Sequence, residues 1–160
     1  MSVTLSEFRR QADIHGICEM SKEWDDCKSN KQRMDLALSA RGMSYVAKAV
    51  AEGWGISPDQ ICRDFAPFNN LRYIRNKDGY TSALVCSDAK EGMAEVNATT
   101  TALLVIDFIG TIVIPRNRIC EIHLVNSQCY IKGEGRGYVY EYGECDIYNR
   151  DDAPIKIAQQ

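Results

Sequence analysis

The chain has 160 residues, 45% of them hydrophobic and 26% charged, with a formal net charge of -3 at pH 7. That is enough chain for a hydrophobic core without staples, and the slightly acidic balance argues against a general electrostatic grip on nucleic acid, which needs a basic field. No apolar run approaches the roughly 20 residues that span a bilayer, and residues 1–7 carry no basic region ahead of an apolar stretch, so neither a membrane span nor a signal peptide is expected.

The head of the chain carries explicit helix signals. Thr4-x-x-Glu7 reads as a capping box opening a first helix that Gly16 ends. Ile17, Met20, Trp24 and Cys27 recur at helical spacing and predict one face of a second. Ser29-x-x-Gln32 is another capping box, starting a third helix through Met34, Leu36, Ala37 and Leu38, with Arg41-Gly42 as its expected end. A fourth helix is predicted over 43–52 and broken by Gly53-Trp54-Gly55. Ser57-Pro58-x-Gln60 gives an N-cap, a first-position Pro and a box partner for a fifth, running to Phe65.

The remainder reads as β. Residues 71–75 and 80–86 flank Asn76-Lys77-Asp78-Gly79 as a β-hairpin, and 87–98 is expected to be an irregular connector. From Thr99 onward, β-formers come in short runs at 102–109, 111–114, 119–125, 129–132, 138–142, 145–148 and 155–158, separated by Gly, Pro and Asn. The expected class is therefore α+β: a helical head (1–66), a hairpin and connector (67–98) and a β-repeat tail (99–160).

The tail separators are nearly periodic. Laying Phe108–Ile114 over Val125–Ile131 aligns Ile112 with Cys129, and Cys145 follows in a third unit, at steps of 17 and 16. That period, with two short strands per unit, predicts short β-solenoid coils; an antiparallel meander or sandwich is the rival. Charge follows the same division. Residues 1–80 hold 12 Lys+Arg and 11 Asp+Glu, whereas residues 81–160 hold 7 and 11, so the negative charge belongs to the tail.

The seven cysteines, at 18, 27, 62, 86, 120, 129 and 145, are odd in number and irregularly spaced. They predict reduced, packed thiols in a cytoplasmic protein rather than a disulfide framework. His15-x-x-Cys18 and Cys120-x-x-His123 hold a Cys2His2 inventory, but on a strand 120 and 123 point to opposite faces, so no metal is expected. No local pattern marks a nucleophile. Gly133-Glu134-Gly135-Arg136-Gly137 lacks the Lys-Ser/Thr of a phosphate loop, and Asp107-Phe108-Ile109-Gly110 lacks the rest of a kinase signature. Paired acids at 25–26 and 151–152 fit solvated turns. No catalytic residue and no cofactor are therefore expected, and an unclassified small enzyme ranks third among the readings. Residues 47–65 partly match a helix-turn-helix, yet its second helix carries two acids and one Arg; a DNA-associated regulator is the alternative reading.

Partner binding has the best local support. Five of the eight tyrosines lie in 130–148, and Tyr138, Tyr140 and Tyr142 alternate with Val139 and Glu141, so on a strand they share one face. With Glu141, Glu144 and Asp146 they define the expected contact patch for a basic protein. The solenoid edge offers a route to a homo-oligomer.

The segment 8–18, Phe-Arg-Arg-Gln-Ala-Asp-Ile-His-Gly-Ile-Cys, followed by Glu23-Trp24, resembles the opening of a group of small uncharacterised phage and mobile-element proteins of gut bacteria, and Gly53-Trp54-Gly55-Ile56-Ser57-Pro58 is similar too. Members combine a helical head with a tail of short β repeats. The resemblance implies an accessory gene product of a phage or mobile element, of a kind that often binds a host macromolecule, including components of host defence. With no catalytic pattern in the chain, the expected function is non-enzymatic binding of a host protein, such as anti-CRISPR-like inhibition of host defence.

Overall fold

A computed structural model describes residues 3–17, 19–54, 57, 61, 71–75, 81–86, 94–149 and 153–160. Four helices, α1 (Val3–Ile14), α2 (Ser21–Asp26), α3 (Asn30–Ala37) and α4 (Ala40–Ala51), precede ten strands among these residues. Strands β1 (Leu71–Arg75) and β2 (Thr81–Cys86) form the expected antiparallel hairpin, whose turn lies outside the described residues. The other strands are β3 (Ala94–Asn97), β4 (Ala102–Ile106), β5 (Ile109–Val113), β6 (Ile119–Val125), β7 (Gln128–Lys132), β8 (Arg136–Tyr142), β9 (Asp146–Asn149) and β10 (Ile155–Gln159).

These strands wind a short β-solenoid. One sheet has the order β1-β2-β4-β6-β8-β10 and the other β3-β5-β7-β9. Every pairing after the hairpin is parallel. Each coil therefore gives one strand to each sheet, and the antiparallel meander is excluded.

The sheets enclose one core and the helices a second. Leu103, Val105, Cys120, Ile122, Leu124 and Val139 of the larger sheet meet Ile112, Cys129 and Ile131 of the smaller one and Phe108 from the corner between β4 and β5. The alternate residues of the larger sheet, Leu104, Ile106, Val125 and Tyr142, meet Met43, Val46, Ala47 and Val50 of α4. This is why all five residues of β4 are buried: a strand covered on both faces reads as an unbroken apolar run. Burying each such Leu or Ile side chain contributes about 1.5–3 kcal/mol.

Several local expectations change. Thr4 lies inside α1, which already runs from Val3, and the Glu7 carboxylate accepts from Arg10 and Gln11. Helix α2 spans only six residues, so Ile17 and Met20 precede it, Cys27 caps its end and Trp24 alone is buried from it. The Ser29 cap forms, with the Ser29 hydroxyl accepting from Gln32 N at 3.2 Å, but the Gln32 side chain accepts from Lys28 N, one residue before the cap, at 2.6 Å. Arg41-Gly42 does not end α3. Ser39 caps a new helix there by accepting from Gly42 N, and a side chain at Gly42 would run into the Leu36 and Ala37 carbonyls. Glycine is thus selected by close helix approach rather than by a stop. Of the predicted fifth helix only Ser57 and Ile61 are described, joined by an Ile61 N to Ser57 O bond of 3.2 Å.

The tail is corrected in register. Residues 94–97, expected in a connector, form the first strand of the smaller sheet. The run 102–109 is broken by a corner at Asp107, where φ is 52°, and Gly110 lies within β5 rather than separating strands. Ile112 pairs with Ile131, while Cys129 lies between Gly110 and Ile147, giving steps of 19 and 18 instead of 17 and 16. A slip of two residues preserves the in–out alternation, so hydrophobic pattern cannot detect it. A specific bond sets the true register: Phe108 N donates to Ser127 Oγ at 3.0 Å, placing Phe108 opposite Ser127 rather than Val125.

Candidate functional site

Parallel coils stack equivalent side chains into columns. On the α4 side of the larger sheet one column runs Leu104, His123, Tyr140, Ala158, and its neighbour runs Ala102, Glu121, Tyr138, Lys156. Helix α4 crosses beside them with Ser44, Lys48 and Glu52 at four-residue spacing, hence on one side of the helix. Between helix and sheet lies a groove of about 520 Å³ lined by these three residues together with Glu121, His123, Tyr140 and Tyr142.

His123 is the centre of the groove's chemistry. Its side chain is 3% exposed. Nδ1 lies 2.8 Å from the Tyr142 phenol oxygen, and the ring stacks on Tyr140 with centroids 5.1 Å apart and planes at 21°. Nε2 has no hydrogen-bond partner; the nearest carboxylate, Glu121 Oε2, stands at 3.6 Å, too far for a bond but close enough for Coulombic attraction. Burial lowers the His123 pKa, against the opposing pull of Glu121, so the imidazole is held neutral. Burial likewise raises the Tyr142 pKa, with the nearby Ser44 hydroxyl acting in the other direction.

The expected tyrosine row exists, graded from rim to floor. Tyr138 is 43% exposed, Tyr140 half-buried and Tyr142 buried at 5%. The expected acids are not beside it. Glu141 lies at the intervening position of β8, Glu144 sits in the corner after β8 with its N–H on Asn126 Oδ1, and Asp146 opens β9 in the other sheet. The chain changes sheets at this corner, which carries the acids away from the tyrosine face. The carboxylates that do line the groove are Glu121 and Glu52. Glu121 was legible once the strand-to-strand step was known, because a step of 17 puts it beside Tyr138.

Other candidates resolve as structure. Cys120 points between the sheets and His123 toward α4, as strand alternation requires. His15 stacks on Trp54 at 3.6 Å, and Cys18 lies outside the described residues. No group of three or more His, Cys, Asp or Glu among the described residues could hold a metal ion. Gly133 and Gly135 form the corner between β7 and β8, pressed against the backbone of Ile114 and Pro115 in the preceding coil, which gives that glycine run a packing reason. The second helix of the helix-turn-helix alternative lies outside the described residues apart from Ile61. No helix among the described residues is long and apolar enough to cross a membrane.

No family model matches the chain, and no curated protein or solved structure matches it significantly.

Proposed function

We propose that this protein acts by contact with another macromolecule rather than by catalysis, and that its partner is a basic host protein met in the cytoplasm. The carrying observation is the tyrosine row of β8, which rises from the buried Tyr142 to the exposed Tyr138 on a sheet rigidly backed by α4. Aromatic side chains that are anchored at one end and exposed at the other supply large contact area at low entropic cost. Glu121 and Glu52 set beside them give the surface the sign that attracts a basic partner. The resemblance of head and tail to phage and mobile-element proteins supports an accessory role, with inhibition of a host defence system as the specific form.

The test is affinity capture from host lysate with the intact protein and with a Tyr138→Ser/Tyr140→Ser variant. Tyr142 is left intact because it is buried and bonded to His123. A stoichiometric partner retained by the first and lost by the second supports the reading. Recovery of the same partner by both removes the tyrosine row as the interface.

A further inference from the structure

We propose that the groove between α4 and the larger sheet is a guanidinium site, taking an arginine side chain from the partner; this rests on the contact reading above and deepens it. Three observations on different elements converge there.

The first is an unfinished stack. His123 covers one face of the Tyr140 ring, and the next residue along the column is Ala158. A methyl group is too short to cover the other face of a phenol. The smaller sheet shows the completed arrangement, where Tyr130 and Tyr148 occupy adjacent coils with ring centroids 5.2 Å apart. The groove reaches Tyr140, and besides His123, Tyr142 and the charged groups its lining among the described residues is Ser44, Ala51, Gly143 and Gln160, none of which is a ring, so a planar group entering it can stack on Tyr140. A guanidinium is planar and weakly hydrated, and it stacks on aromatic faces.

The second is charge. Glu121 and Glu52 line the groove from opposite walls, one on β6 and one at the end of α4. The one lysine in the lining, Lys48, has its ammonium 6.0 Å from the centre of the Trp54 ring, so the lining sets two carboxylates against one ammonium. A cation entering the groove thus meets two carboxylates, and Glu121 can accept in the paired geometry that an arginine fork offers.

The third is the buried, unpartnered Nε2 of His123, 3.6 Å from Glu121 Oε2. A buried polar nitrogen without a partner costs free energy. Either tautomer fits the Tyr142 bond: with the phenol donating to Nδ1, Nε2–H faces Glu121 without reaching it, and with Nδ1–H donated to the Tyr142 oxygen, Nε2 presents a lone pair beside the carboxylate. A donor-rich cation laid on Tyr140 selects the second tautomer and then supplies hydrogens to both Nε2 and Glu121. Ammonium supplies charge but no plane, so lysine satisfies only part of this arrangement.

The probes are Ac-(Gly-Arg)4-NH2 and Ac-(Gly-Lys)4-NH2, which carry equal charge. Binding to the full chain is followed by NMR, through the His123 imidazole and Tyr140 ring signals. The arginine peptide is expected to shift both saturably and to bind about five- to tenfold more tightly than the lysine peptide. Glu121→Gln and Tyr140→Leu should each remove most of that ratio, while Tyr140→Phe keeps it, and unfolding transitions confirm that each variant is folded. Equal affinity for the two peptides, or an unchanged ratio in E121Q, overturns the guanidinium site. If both peptides bind equally and Tyr138→Ser weakens both, the contact reading stands without this subsite. If neither peptide binds at millimolar concentration, the basic-partner reading and the subsite fall together.

Discussion

The phenol oxygen of Tyr142 and Nδ1 of His123 lie 2.8 Å apart although 19 residues separate them. Adjacent parallel coils produce this pairing: His123 lies opposite Tyr140 across the β6–β8 ladder, and Tyr142 follows two residues on, on the same face. The bond is buried under α4, so each partner shields the other from an unsatisfied state.

Tyr142→Phe should therefore destabilise the fold by about 1–3 kcal/mol, the cost of leaving one buried nitrogen unpaired. His123→Leu in the same background should recover much of that loss, since Leu104 already occupies the equivalent position one coil earlier. Urea unfolding of the two single variants and the double variant measures the coupling. Additive losses would show that the bond contributes nothing of its own.

Stability should fall on both sides of neutrality, for different groups. Burial depresses the His123 pKa below its usual 6.5, so the folded state prefers the neutral ring. Stability from this source is complete above about pH 6.5 and is lost as the pH falls through the lowered folded value. The His123→Leu variant should lose less stability between pH 6.5 and 5 than the parent. On the alkaline side, burial pushes the Cys120 and Cys129 thiols up from 9.0 to about 12. Their contribution is complete below pH 9 and is lost progressively between pH 9 and 12. Denaturant midpoints across pH 5–11 check both limbs, and a flat profile would contradict them.

Two glycine substitutions should separate packing from backbone conformation. At Gly135 a methyl group would meet the Pro115 carbonyl and Ile114 side chain of the preceding coil and lie 3.0 Å from Arg118 O. Gly135→Ala should cost about 3 kcal/mol, the upper end of the range for overpacking, because a fixed carbonyl cannot swing aside. Gly16 has φ +67° and open space around its Cβ direction, so Gly16→Ala should cost only about 1 kcal/mol. Thermal melts suffice to rank the two, and equal shifts would argue against a tight corner.

The layout was legible where the signal is local. Ser29 and Gln32 announced α3, alternating Tyr138, Tyr140 and Tyr142 announced one face of β8, and short runs divided by turn residues announced coils. Register was not legible, because the corners differ in length: two residues join β4 to β5 and β6 to β7, but three join β8 to β9. A two-residue slip leaves every side chain on its proper face, so only contacts such as Phe108 N to Ser127 Oγ distinguish the alternatives. The groove was invisible for the same reason. Glu121, His123 and Tyr140 come together only through the register of β6 on β8, and Glu52 joins them only through the docking of α4.

Ala158 touches on how such a surface would diversify. It is exposed, on the last strand of its sheet, and it adjoins Tyr140 only because the coils are stacked. A larger residue at that single position would close the ring face while leaving every residue of β6, β8 and α4 unchanged. Selectivity could therefore drift through the outermost coil, while the buried coils beneath it keep the architecture constant.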